Sequence, residues 1–161
     1  ALFALDNLWD GIGGLIATDP TVKYLSGKVT IYSTSPEMSR KAMVYYLDMS
    51  FGDREGLITS KNPETCTPEQ AAFFKEMFTG ADYKENYAIL NNYVKSLGDS
   101  IPPFIHLYIG LSPTMKTFGT TFDPDFGDCY DTAMIITTDD IYPDKYKRYV
   151  ESYEKCKVRK G

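Results

Sequence analysis

Leu2-Phe3-Ala4-Leu5-Asp6-Asn7-Leu8-Trp9-Asp10-Gly11-Ile12-Gly13-Gly14-Leu15-Ile16 opens the chain, and Lys28-Val29-Thr30-Ile31-Tyr32-Ser33 follows beyond the Asp19-Pro20 break. In the first stretch Leu2, Leu5, Leu8 with Trp9, Ile12 and Leu15 with Ile16 recur at helical spacing, while Asp6, Asn7 and Asp10 take the other face. In the second, β-branched and aromatic residues dominate, the signature of a strand. A helix this regular ordinarily has a polar cap and a connecting segment before it. Only Ala1 precedes this one, so the chain reads as the downstream part of a larger fold.

Working outward, the pattern predicts a helix over 2–17, a strand over 22–33 and a helix that starts at Ser35-Pro36-Glu37, carries Met38, Ala42, Tyr45, Tyr46 and Met49, and stops near Gly52. Residues 53–68 are polar and irregular. Thr67-Pro68-Glu69-Gln70 caps a helix ending at Gly80, and Tyr83, Tyr87, Leu90 and Val94 line one face of another that ends at Gly98. Residues 53–100 together read as a helical insertion. Ile101-Pro102-Pro103 begins a short helix through His106, Leu107 and Tyr108. A hairpin follows, 115–122 and 130–138 joined at Asp123-Pro124-Asp125-Phe126-Gly127, and a helix from Pro143 to about Lys155 closes the chain. The elements give an α/β architecture, a sheet flanked by helices and lacking its leading strands.

With 161 residues and ordinary apolar and charged fractions, the chain suits one domain with a real core. The formal charge of −5 argues against a nucleic-acid partner, which needs clustered cations. The one basic run, Lys155 to Lys160, reads as a solvated tail, with peripheral membrane contact the lesser option. Cys66, Cys129 and Cys156 are an odd set without C-x-x-C spacing, which fits a reducing cytoplasm and offers no zinc site. Tyrosine is the outlier: 13 residues against a single Trp and a single His. Such a surplus suits a partly lined groove as well as ordinary sheet and helix surface.

The chemistry-bearing residues are sparse. Gly11, Gly13 and Gly14 do not follow a strand, so they read as close packing of the first helix on the sheet rather than as a phosphate cradle. Asp6 and Asp10 share one helix face as a carboxylate pair. His106 is the only imidazole and has no Ser or Cys at nucleophile-elbow spacing. Asp123, Asp125, Asp128 and Asp131 lack the distal Glu of a calcium loop and read as a turn leading into a strand.

Three blocks carry a resemblance. Leu8-Trp9-Asp10-Gly11-Ile12-Gly13 with Lys23-Tyr24-Leu25-Ser26-Gly27-Lys28-Val29 is the first. Ile101-Pro102-Pro103 leading to Tyr108, then Asp123-Pro124-Asp125-Phe126-Gly127 and Asp131, is the second. Tyr146-Lys147-Arg148-Tyr149 is the third. In order and spacing they resemble the hemolysin-type N-acyltransferases of the GNAT superfamily, the branch that holds the ornithine-lipid and glycine-lipid amino-acid N-acyltransferases. The resemblance covers most of the chain outside 53–98 and implies that 1–161 is the C-terminal part of one GNAT-like domain.

The resemblance implies a fatty acyl thioester, on acyl carrier protein or less favourably on CoA, lying in a splayed cleft between two central parallel strands. Val29 to Ser33 would be the second of these, and the first, with its phosphate-binding loop, would lie upstream of Ala1. The amine of a small amino acid such as glycine or ornithine would attack the thioester carbonyl, with no permanently bound cofactor and no metal. The helix residues that such enzymes place after the cleft strand correspond here to Ser39, Ala42, Tyr46 and Ser50-Phe51. Tyr46 is thus the candidate general acid, although Ser39 stands where Asn and Ser50 where Gly is usual. Asp10 and His106 are the remaining catalytic candidates. Tyr32, Ser33, Ser39, Tyr45 and Tyr108, with Met43 and Met49, are expected to line the substrate and acyl groove. A second reading of the same residues is a non-catalytic acyl- or protein-binding domain.

Overall fold

A computed structural model describes residues 2–153, with side chains from residue 7 onward. The basic run 155–160, Cys156 and the side chain of Asp6 therefore lie outside the described residues.

Helix α1 (Leu2–Thr18) leads through a Pro20 turn into strand β1 (Tyr24–Tyr32), and helix α2 (Glu37–Phe51) follows. Helices α3 (Pro68–Met77), α4 (Tyr83–Ser96) and α5 (Pro103–Ile109) precede the hairpin of β2 (Lys116–Asp123) and β3 (Cys129–Thr137). Helix α6 (Pro143–Tyr146) continues as a wider π turn over Lys147–Glu151, where an uninterrupted closing helix was expected.

Local chemistry explains the boundaries. Thr67 and Gln70 close a reciprocal capping box at α3, with Gln70 N–H donating to Thr67 Oγ1 at 3.2 Å and Thr67 N–H to Gln70 Oε1 at 3.0 Å. Asp82 caps α4 by accepting from the N–H groups of Lys84 and Glu85. The hairpin turn is held by Asp123, which accepts from Asp125 N–H, and by Gly127 in the left-handed region at φ 73°. The acidic cluster of the sequence is thus a turn followed by a strand.

The three strands form one antiparallel sheet in the order β1-β3-β2, so the second hairpin strand inserts between its partner and β1. Val29 lies opposite Thr132 and Ile31 opposite Tyr130. One face of the sheet, carrying Leu25, Val29, Ile31, Met134 and Ile136, packs into the core with Ala42, Met43, Tyr46 and Leu47 of α2. Each fully buried side chain of this kind contributes about 1.5–3 kcal/mol. Phe74, Phe78, Leu90 and Val94 are buried in the same core, and α3 and α4 both lie against α2.

The two sheet edges differ. Along β2 the chain after α2 runs alongside, Asp53 N–H donating to Thr117 O at 2.9 Å and Glu64 N–H to Thr120 O at 2.7 Å. Along β1, among the described residues, nothing pairs with the edge away from β3, and Tyr24 and Tyr32 at its ends are exposed.

The glycines of α1 pack closely, though on a different partner from the one expected. A Cβ on Gly13 would meet the backbone of Tyr149, and one on Gly14 the ring of Tyr153, whereas Gly11 faces open space. The helix therefore seats against the C-terminal helical segment rather than the sheet. Trp9 completes that joint, edge-on to Tyr108 at 5.8 Å and tilted against Tyr149 at 6.5 Å.

Candidate active site

The geometry worth building from is the junction of β1 and α2. Strand β1 ends at Tyr32, the chain turns as Ser35 N–H donates to Tyr32 O at 3.1 Å, and α2 starts at Glu37 with no side-chain cap. Tyr32 and Ser33 are exposed at this corner. Ser39, in the first turn of α2, is fully buried, and its Oγ has no hydrogen-bond partner.

Next to Ser39 stands a charge cluster. Lys41 Nζ donates to Glu64 Oε1 at 2.7 Å and to Thr65 O at 2.5 Å, two acceptors for the three donors of an ammonium group. Arg40 is less well served. Its Nε lies 3.6 Å from Glu64 Oε1, its Nη1 is 3.4 Å from Ser35 O, and its guanidinium rests 4.2 Å above the Tyr130 ring. All three charged side chains are nearly buried, at 12% exposure for Arg40, 11% for Lys41 and 18% for Glu64. Sequence reasoning missed this cluster. Its one local signal was the Arg40-Lys41 pair interrupting the apolar face of α2, and Glu64 sits far along the chain in a loop.

Tyr46, the candidate acid, is fully buried in a ring cluster with Phe51, Phe78 and Tyr87. Its hydroxyl donates to Tyr83 O at 2.8 Å. Burial holds its phenol well above the ordinary tyrosine range, so it stays protonated at any physiological pH. Tyr45 stacks on Phe78 and tilts against Phe74. With Met43 and Tyr46 wholly inside the core, the expected residues do not join into one continuous groove wall.

The other candidates lie apart. Asp10 is exposed on α1. Tyr108 reaches from α5 to the middle of β1, where a Cβ on Gly27 would sit 2.6 Å from its hydroxyl; burial raises its pKa. His106 is exposed on α5 with its ring 5.6 Å from Tyr87. It borders a groove of ≈ 410 Å³ with Tyr83, Tyr87, Tyr142 and Lys84. Tyr83 and Tyr142 share a hydroxyl–hydroxyl bond there, and burial, then that bond, raises the Tyr83 pKa. No side-chain hydrogen bond links Asp10, His106 and Tyr46 among the described residues. Nor do three His, Cys, Asp or Glu side chains gather as a metal site there, and no helix among them is long and apolar enough to cross a membrane.

Comparison with known proteins gives the chain a homology at the level of a class, the enzymes that acylate the amine of an amino acid. More particularly, it is 42% identical over 154 residues to the glycine N(alpha)-acyltransferase of Phocaeicola vulgatus, a match covering 96% of this chain and 47% of that protein. It is likewise 42% identical over 155 residues to the glycine N(alpha)-acyltransferase of Bacteroides thetaiotaomicron, covering 94% of this chain and 45% of that one. The chain thus spans about half the length of the curated relatives it matches. No family model matches it, and no solved structure does.

Proposed function

We propose that this chain is the part of a GNAT-like N-acyltransferase that forms one wall of the thioester cleft and receives the amino acid, and that the acceptor is glycine. The observation that carries the reading is the homology across nearly the whole chain to glycine N(alpha)-acyltransferases. The edge of β1 that nothing pairs with among the described residues, ending beside the start of α2, supports it. A splayed partner strand belongs on such an edge, leaving β1 amides free to face the thioester.

The reaction is a direct acyl transfer. The neutral amine of glycine attacks the thioester carbonyl, a C–N bond forms, the C–S bond breaks, and the departing thiolate ends protonated while the nitrogen sheds a proton. Backbone N–H groups on the free side of β1 would donate to the oxyanion of the tetrahedral intermediate. Tyr46 is protonated and so able to give a proton, but only by releasing the carbonyl of Tyr83. The donor would be acyl carrier protein, with CoA the less favoured carrier, and the reaction would run at the cytoplasmic side, with any membrane contact peripheral.

The test is reconstitution. The full-length protein, given acyl carrier protein loaded with a fatty acyl chain together with glycine, is expected to yield N-acylglycine, detected by mass. Absence of product across acyl-carrier-protein and CoA donors and a panel of amino acids would overturn the reading and leave a non-catalytic acyl- or protein-binding domain.

A further inference from the structure

Resting on the glycine acyltransferase reading, we infer that Arg40 is the clamp for the carboxylate of the amino-acid acceptor. The charges around it do not balance. Arg40, Lys41 and Glu64 place two cations and one carboxylate in a nearly buried cluster, a surplus of one positive charge. Lys41 and Glu64 pair at 2.7 Å, and the second group Lys41 meets is the Thr65 carbonyl. The surplus is therefore Arg40. An uncompensated cation out of water is unfavourable unless something neutralises it.

Its hydrogen bonding says the same. A guanidinium has five donors in a rigid fork. Here one of them, Nη1, reaches a carbonyl at 3.4 Å, while Nε is buried with no hydrogen bond at all. The aromatic face of Tyr130 fixes the plane of the group without using its edge. A stacked fork with a free edge is preorganised for a planar anion that takes two parallel hydrogen bonds.

Position and stoichiometry choose the anion. Arg40 Nη1 reaches the Ser35 carbonyl in the turn that follows β1, and Tyr130 is the register partner of Ile31, one residue from the end of that strand, so Arg40 stands beside the corner where β1 passes into α2. A single surplus charge matches a monoanionic carboxylate rather than a phosphate dianion. In glycine the amine and carboxylate share one carbon, so gripping the carboxylate there aims the nucleophile without any contact to the nitrogen.

Two measurements on the full-length protein test this. In the first, the Nε–H signal of Arg40, identified by its loss in Arg40→Lys, is followed by nuclear magnetic resonance during titration. Glycine is expected to shift it, and glycinamide, which lacks the carboxylate, is not. No shift with glycine, an equal shift with glycinamide, or a stronger response to inorganic phosphate would each overturn the assignment. In the second, Arg40→Gln is expected to raise KM for glycine at least tenfold with a smaller change in kcat, and to leave acylation of glycinamide unchanged. Equal losses on both amines, or an unchanged KM, would overturn it. If the unaltered protein acylates neither amine, the acyltransferase reading fails, and the titration still decides whether Arg40 binds a carboxylate.

Discussion

Replacing Gly13 by Ala tests how α1 is held. The added methyl would lie 2.6 Å from the carbonyl carbon of Tyr149 and 2.9 Å from its Cβ, against an ordinary contact of 3.4 Å or more. The Tyr149 carbonyl oxygen would lie nearer still, and restoring ordinary contact with it moves the helix back by about 1.2 Å, enough to open the interior it closes. The residues exposed by this shift are Trp9, Ile16 and Tyr149, all now buried. Overpacking of this kind destabilises by about 1–3 kcal/mol, while the better helix propensity of Ala returns about 1 kcal/mol. Gly11→Ala is the internal control. It gains the same propensity term and meets nothing within 4 Å. The difference between the two variants therefore isolates the packing term, about 1–3 kcal/mol, or roughly 2–12 °C in Tm for a chain of this size. Thermal and urea unfolding of both variants measure it. Equal stabilities, or a Gly13→Ala protein as stable as the Gly11→Ala one, would refute the close seating of α1 on the Tyr149 backbone.

Other outcomes follow from single contacts. Tyr46→Phe removes the hydroxyl's bond to the Tyr83 carbonyl and is expected to lower stability by about 0.5–1.5 kcal/mol; if turnover also falls more than tenfold at a temperature where the variant is folded, Tyr46 is the acid and not only a core support. Thr120→Val alone orphans the buried hydroxyl of Thr132 and is expected to lower stability by about 1–2 kcal/mol, whereas Thr120→Val with Thr132→Val is expected to be near neutral, a non-additivity that paired urea melts would show or deny. Gly27→Ala drives a methyl toward the Tyr108 hydroxyl and should be partly rescued by Tyr108→Phe, with a coupling of about 1 kcal/mol; additive losses would contradict the contact. Burial raises the pKa of Cys66 above its ordinary value, so less thiolate is present than in a free thiol at pH 8. Its alkylation, followed by peptide mapping, is expected to be slower than that of free cysteine and to accelerate as pH rises past 9, while a rate equal to the free thiol's at pH 8 would refute the burial.

Much of the framework was readable because its signals are local. The β-branched run at Lys28–Ser33 makes β1, the Asp-Pro-Asp-Phe-Gly turn makes the hairpin, and the Thr67 and Asp82 caps place α3 and α4 where the pattern put them. What periodicity reports is that a residue needs a partner, and not which one. The glycines of α1 signal close packing, yet Gly13 meets Tyr149, far along the chain, and not the sheet, and no local rule points to that partner. The insertion of β3 between β1 and β2 was hidden for the same reason, since a hairpin pattern fixes one pairing and leaves the outer neighbour open. At the candidate site, Tyr46 stands out by its place in the helix spacing of the family the chain resembles, while Arg40 does not, because its meaning depends on Glu64 and Tyr130. Glu64 meets it only after the loop before α3 has folded along β2, and Tyr130 only after β3 has paired with β1.

The proposed function makes the free edge of β1 a wall of the thioester cleft. The direct measurement is amide hydrogen exchange on the full-length protein with and without an unreactive acyl-pantetheine thioether. Amides of residues 24–32 that face away from β3 are expected to slow when the analogue is present, while α3 and α4 stay unchanged. Protection that is absent from β1, or confined to the His106 groove between α4 and α5, would contradict it.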